Sequence, residues 1–128
     1  MKTGINLLLW TTHVDEKHLA LLESIRNAGY TGAEIPIHEA TPEHFRWLGG
    51  ALDQLGLERT ASTALPGPEA NLISPDSEAR RAGIDYLIAV IDSAHELGST
   101  ILAGPLYQAL GAFSGAAPTE QEWAWAEE

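Results

Sequence analysis

Three times along this chain an amphipathic helix runs into a glycine and then into a short apolar strand. The first helix is expected over roughly Asp15 to Ala28, with Leu19, Leu22 and Ile25 on one stripe and Gly29 at its C-terminal stop. The strand Ala33 to Ile37 follows. Thr41-Pro42 then supplies an N-cap and a proline at the first helical position; Phe45, Leu48, Leu52 and Leu55 line the buried face before Gly56 ends the helix. A strand is expected around Glu58 to Ser62. The third helix opens at Ser74-Pro75 and presents Tyr86, Leu87, Val90, Ile91, Ala94 and Leu97 as a wide apolar face up to Gly98. A strand over Thr100 to Gly104 closes the series, and Gly4 to Leu9 is the strand that opens it. Strands alternating with helices of this length build βαβ units, hence a parallel sheet with right-handed crossovers.

Two parallel architectures compete. A doubly wound nucleotide-binding fold places glycines just after its first strand, where a pyrophosphate approaches the backbone. Here that turn reads Trp10-Thr11-Thr12-His13, which is bulky and closed to such an approach. An eight-stranded (β/α)8 barrel fits better, with functional side chains at the C-terminal strand ends. A chain of 128 residues is about half of the roughly 250 that such a barrel needs. The expected fold is therefore α/β, a TIM barrel present as its N-terminal half, in a single domain with no internal boundary. The last residues agree with that arithmetic. Pro118, Thr119 and Glu122 form a helix start with a capping box, Trp123 and Trp125 still need cover, and no stop signal precedes Glu128. The chain is accordingly expected to be the N-terminal part of a larger protein. Pro66 to Ser74 and Ala109 to Pro118 each follow a strand and read as active-face loops.

Composition narrows the partners. Eighteen acidic against seven basic residues give a net charge of −11, which argues against a nucleic-acid or other polyanionic partner. The chain has no cysteine, hence neither a disulfide framework nor a thiolate metal site, which fits a cytoplasmic protein. The apolar run Ile5 to Trp10 is far too short to span a bilayer, so no membrane association is expected.

Three segments match a known pattern: GINLLLW in the first strand, GYTGAEIPI around the second, and SPDSEARRAGIDYLIAVIDSAHELGSTILAGPLY. The last is the most specific, with a Ser-Pro helix start, an Arg-x-x-Gly-x-x-Tyr core and a strand ending in Gly-Pro-Leu-Tyr. In these segments the sequence resembles the xylose-isomerase-like sugar isomerase/epimerase superfamily, and within it the D-tagatose/D-psicose (allulose) 3-epimerase group. The resemblance covers nearly all of the chain but only the first half of a family member. It implies a (β/α)8 barrel with a divalent ion, Mn²⁺, Co²⁺ or Mg²⁺, held at the C-terminal face by two Glu, one Asp and one His. That ion grips two neighbouring sugar oxygens and stabilises an enediolate, while one Glu removes the C3 proton and the other returns one to the opposite face. The resemblance puts those ligands on later strands than any present. No catalytic residue, no metal ligand and no tightly bound metal is therefore expected within this chain.

What the resemblance leaves here is part of a sugar-pocket wall. Trp10 ends the first strand as an aromatic face for the C–H side of a sugar, or as barrel-end packing. Asn6 stands where related epimerases commonly carry an aromatic against the substrate, and Leu110 where some use a Trp; both departures bear on the sugar. Glu34 shares a strand face with Pro36, either as pocket floor or paired with an Arg. His38 can hydrogen-bond a hydroxyl or stabilise its turn. Ser62 ends the third strand, with its hydroxyl on a sugar oxygen or on its own backbone. Leu106 and Tyr107 follow Gly104-Pro105 as pocket walls. His13 lies in the first active-face loop, whereas His18, His44 and His95 read as surface or cap residues, and Arg80 and Arg81 as a solvated or salt-bridged helix face.

The function implied for the full-length parent is a metal-dependent ketose 3-epimerase or isomerase, homo-oligomeric, acting on a small sugar. Three other readings stand beside it: a self-associating half-barrel with open sheet edges, a non-catalytic sugar-binding module, and an endonuclease-IV-like relative disfavoured by the acidic charge.

Overall fold

The computed structural model describes residues 1–127. Four parallel strands form one sheet in the order β1 (Gly4–Asn6), β2 (Gly32–Pro36), β3 (Glu58–Ser62) and β4 (Leu102–Ala103). Between and after them run α1 (Leu19–Asn27), α2 (Pro42–Leu55), α3 (Ser77–Leu97) and α4 (Glu120–Glu127). The chain divides into two compact units, Met1–Thr63 with Ala89–Ala103, and Ala64–Ile88 with Gly104–Glu128. Among the described residues no helix is long and apolar enough to cross a membrane.

The first unit holds the sheet. Residue alternation sends Ala33, Ile35 and Ala61 to the face covered by helices, where they are buried with Leu22, Ile25, Phe45, Leu48 and Leu52. Gly29 and Gly56, at φ 95° and 67°, end their helices in the left-handed conformation that glycine adopts without a Cβ penalty. Arg59, also on the covered face, ties three elements together. Its Nε donates to the Leu97 carbonyl at 3.0 Å, and its Nη2 to the Gly49 carbonyl at 3.0 Å and to the Asp53 carboxylate.

Several boundaries differ from the sequence reading, each for a local reason. β1 stops at Asn6 instead of reaching Leu9, because the Asn6 side chain accepts from the Leu8 N–H at 2.8 Å and starts a 3-10 turn, Leu7–Leu9. The first helix opens as a 3-10 turn, Glu16–His18, in which Asp15 and His18 form a capping box. Thr41 occupies the N-cap of α2 without capping it; its hydroxyl donates to the Glu39 carbonyl. α3 starts at Ser77 and not at Ser74, with the Asp76 carboxylate taking the Glu78 N–H at 2.9 Å. Ile91, expected in the buried face, is 55% exposed, while Val90, Ala94 and Leu97 are buried. β4 keeps two residues of the five expected, having β3 alone to pair with before Gly104 turns at φ 141°.

The second unit holds the N-terminal part of α3, the helix α4 and the loops around them. Leu65 bridges Ala109 in parallel, and the Asn71 side chain accepts from the Ala109 N–H at 3.2 Å. The capping box at α4 forms as expected: Glu122 N–H donates to the Thr119 hydroxyl at 3.1 Å and Thr119 N–H to the Glu122 carboxylate at 2.6 Å. Arg80 departs from a solvated helix face. Its guanidinium stacks 4.5 Å from the Trp125 ring and donates to the Ser74 carbonyl at 2.7 Å.

Candidate functional site

Register fixes which side chains meet on the uncovered face of the sheet. Asn6 lies opposite Glu34, and Glu34 opposite Thr60, so three adjacent strands put an amide, a carboxylate and a hydroxyl in one row. They are hydrogen-bonded. Asn6 Nδ2 donates to Glu34 Oε1 at 2.6 Å and Thr60 Oγ1 donates to Glu34 Oε2 at 3.0 Å. Glu34 is half-buried, and these two bonds meet both oxygens of a carboxylate that has lost part of its hydration. Neither sequence alternative for Glu34 included these partners, and an Arg is not one of them. Arg59, next to Thr60, points to the opposite face by the strand alternation.

Two residues further along β3, on the same face, stands Ser62, between Pro36 and Ala103 in register. It is 7% exposed, and its hydroxyl has no hydrogen-bond partner among the described residues. A buried hydroxyl without a partner costs free energy and keeps its hydrogen-bonding capacity unused.

Trp10 sits one 3-10 turn beyond β1, not at the strand end, and is 50% exposed. Its N–H and that of Thr11 both donate to the Leu7 carbonyl, at 2.9 and 3.0 Å. His38 is exposed in the loop after β2. Asn6, Glu34 and Ser62 thus share one face, with Trp10 and His38 in loops after the ends of their strands. Leu106 and Tyr107 belong to the second unit. There Tyr107 is 57% exposed and lines a groove of about 520 Å³ with Ile73, Gln108 and Trp123.

The sequence reading missed Thr60, although the alternation of Thr60 and Ser62 along β3 carried the signal. It also missed a ring stack. His13 and His44 lie face to face at 4.5 Å, with His44 Nε2 2.8 Å from the Val14 carbonyl, and this contact ties the loop after the first 3-10 turn to α2. No sequence spacing joins positions 31 residues apart. A cavity of about 550 Å³ also borders the uncovered face, lined by Gly4, Asn6, Gly32, Glu34 and Thr60 among others. It extends towards Lys2, Thr31 and Glu58, at the N-terminal strand ends, away from the face where such folds carry out chemistry. Among the described residues no group of three or more His, Cys, Asp or Glu is arranged to hold a metal ion.

The chain is 30% identical over 111 residues to the ketose 3-epimerase of Arthrobacter globiformis, covering 86% of this chain and 38% of that protein. The crystal structure of a D-psicose 3-epimerase in the presence of D-fructose superposes with a TM-score of 0.79 at 20% identity, covering 98% of this chain and 45% of the other. The D-allulose 3-epimerase of Methylomonas sp., in complex with D-allulose, gives 0.82 at 23% identity, covering 98% and 43%. The chain therefore spans less than half the length of these relatives. The structural likenesses carry the fold: four parallel β/α units corresponding to about 45% of a TIM-barrel epimerase. Residues 22–128 match the family described as xylose isomerase-like TIM barrel. With most of its length inside that match, the chain belongs to the xylose isomerase-like TIM barrel family.

Proposed function

We propose that this chain is the pocket-wall half of a sugar isomerase or epimerase of the ketose 3-epimerase kind, in which a proton at C3 of a ketose is removed and returned through an enediolate. The observation that carries the reading is the 30% identity to a ketose 3-epimerase across 86% of the chain. The site adds chemical support: an indole for the C–H face of a sugar, and a buried Ser62 hydroxyl with an unused hydrogen-bonding capacity. Among the described residues no three His, Cys, Asp or Glu side chains are arranged to hold a metal ion. The divalent ion that the family resemblance implies is proposed to be held by ligands outside them.

Within this reading the chain binds and orients and does not itself transfer the proton. Both Glu34 oxygens are engaged by Asn6 and Thr60, which makes this carboxylate a fixed acceptor and a poor candidate for a mobile base. The parent is proposed to act as a homo-oligomer in the cytoplasm, without nucleic acid or membrane partners.

A chimera joining residues 1–128 to the part of the Arthrobacter globiformis enzyme outside the matched region tests the proposal. With added Mn²⁺ it is expected to incorporate one solvent deuterium at C3 of a ketohexose or ketopentose, read by proton NMR. The chain alone is expected to give no exchange and no tight one-to-one Mn²⁺ isotherm. A chimera that folds cooperatively and exchanges no ketose C3 proton overturns the reading.

A second reading, self-association, has one observation in its favour. Ile84, Ile88 and Ile91 recur at helical spacing along α3 and are 44%, 53% and 55% exposed. Light scattering after size exclusion separates a monomer from a pair.

A further inference from the structure

Glu34 lies on β2 and Trp10 beyond the end of β1, yet one side chain touches what holds each of them. The Asn6 carboxamide uses its donor end on Glu34 Oε1, at 2.6 Å, and its acceptor end on the Leu8 N–H, at 2.8 Å. That second bond caps the 3-10 turn Leu7–Leu9, whose buried Leu7 in turn accepts from Trp10 N–H at 2.9 Å. Thr60 Oγ1 occupies the other Glu34 oxygen at 3.0 Å, so two neighbouring strands fix the carboxylate's orientation. A carboxamide suits this place because it offers one donor and one acceptor; aspartate offers acceptors alone and leucine offers neither.

We propose that Asn6 is a positioning residue that couples the Glu34 carboxylate to the placement of the Trp10 indole. The carboxylate holds the amide, the amide fixes the turn, and the turn fixes the indole. The functional meaning rests on the reading of Trp10 as a pocket wall, but the coupling is tested without any sugar.

The experiment labels the chain with 5-fluorotryptophan and records its four ¹⁹F lines, that of Trp10 being assigned by its loss in Trp10→Phe. Amide exchange at Leu8 is followed in parallel. Glu34→Gln preserves both contacts, its carbonyl accepting from Asn6 and its amide donating to Thr60 Oγ1. The Trp10 line is expected to stay in place and Leu8 exchange to remain within twofold. Glu34→Leu removes the anchor, and so does Asn6→Leu. In each, the Trp10 line is expected to move or split and Leu8 exchange to accelerate at least tenfold, while the lines of Trp47, Trp123 and Trp125 hold their positions. An unchanged Trp10 line in folded Glu34→Leu overturns the proposal, as does a Glu34→Gln spectrum matching that of Glu34→Leu. Should Glu34→Leu fail to fold, Thr60→Val removes one of the two bonds on the carboxylate. A smaller displacement of the same line supports the coupling, and no displacement overturns it.

Discussion

A Cβ placed on Gly49 would lie 2.7 Å from the carbonyl oxygen of Leu97, so α2 meets the C-terminal end of α3 backbone against backbone. Gly50, its neighbour in α2, has nothing within 4 Å of such a Cβ. The two glycines therefore carry opposite predictions. An alanine in a helix interior is favoured over glycine by about 1 kcal/mol. Gly50→Ala is expected to raise stability by that order, whereas at Gly49 the clash with a carbonyl that cannot rotate away reverses the sign, with an expected loss of about 1–3 kcal/mol. Urea unfolding midpoints of the two variants check the pair.

Arg59 bridges the same junction. Its planar fork serves the Leu97 and Gly49 carbonyls and the Asp53 carboxylate together. Lysine keeps the charge but has no Nε–H and no second arm, leaving at least one buried carbonyl without a donor. Arg59→Lys is expected to cost on the order of 2 kcal/mol in the same unfolding measurement.

Ser62→Ala should separate stability from function. The hydroxyl it removes is buried and without a partner among the described residues, so the melting temperature is expected to stay level or rise. Ketose binding by the chimera described above is expected to weaken, read as a higher KM with kcat less affected. A loss of stability above about 1 kcal/mol would mean that the hydroxyl has a partner in the folded chain.

Acid should loosen the C-terminal helix first at its capping box. The Thr119 backbone N–H, and after it the Thr119 hydroxyl, hold the Glu122 carboxyl below its ordinary value of 4.5. A carboxyl lowered in the folded state contributes its full stabilisation above the unfolded value and loses it as pH falls through the folded one. Fluorescence of Trp123 and Trp125 is expected to be level above pH 5 or so and to change below the ordinary carboxylate range. Glu122→Gln, which keeps an acceptor but does not titrate there, is expected to flatten that change.

Much of the scaffold could be read from the chain because its cues are local. Gly29 and Gly56 stop helices wherever they fall, and the limits of β3 come out residue for residue as expected. Boundaries were lost where a side chain competes with the backbone for an N–H, as Asn6 does at Leu8 and Asp76 does at Glu78. The candidate site was legible as a set of positions but not as a set of contacts. Glu34 was singled out by its awkwardness in an apolar strand, whereas its partners come from strands 26 and 28 residues away and depend on register. Ile91 was misjudged because the helix buries a narrower stripe than its apolar residues suggest: Val90, Ala94 and Leu97 take the inward places, and Ile91, about 100° round the axis from Val90, is left outside it.

The 3-10 turn after Asn6 has a consequence for how a pocket of this kind changes over time. Each residue in such a turn rotates the chain by about 120° and advances it by about 2 Å. One residue gained or lost between Asn6 and Trp10 would re-aim the indole by a third of a revolution while leaving every pairing in the sheet untouched. If Trp10 walls a sugar pocket as proposed, preference at that wall is open to adjustment by length as well as by residue identity, and the strands that carry the fold do not limit it.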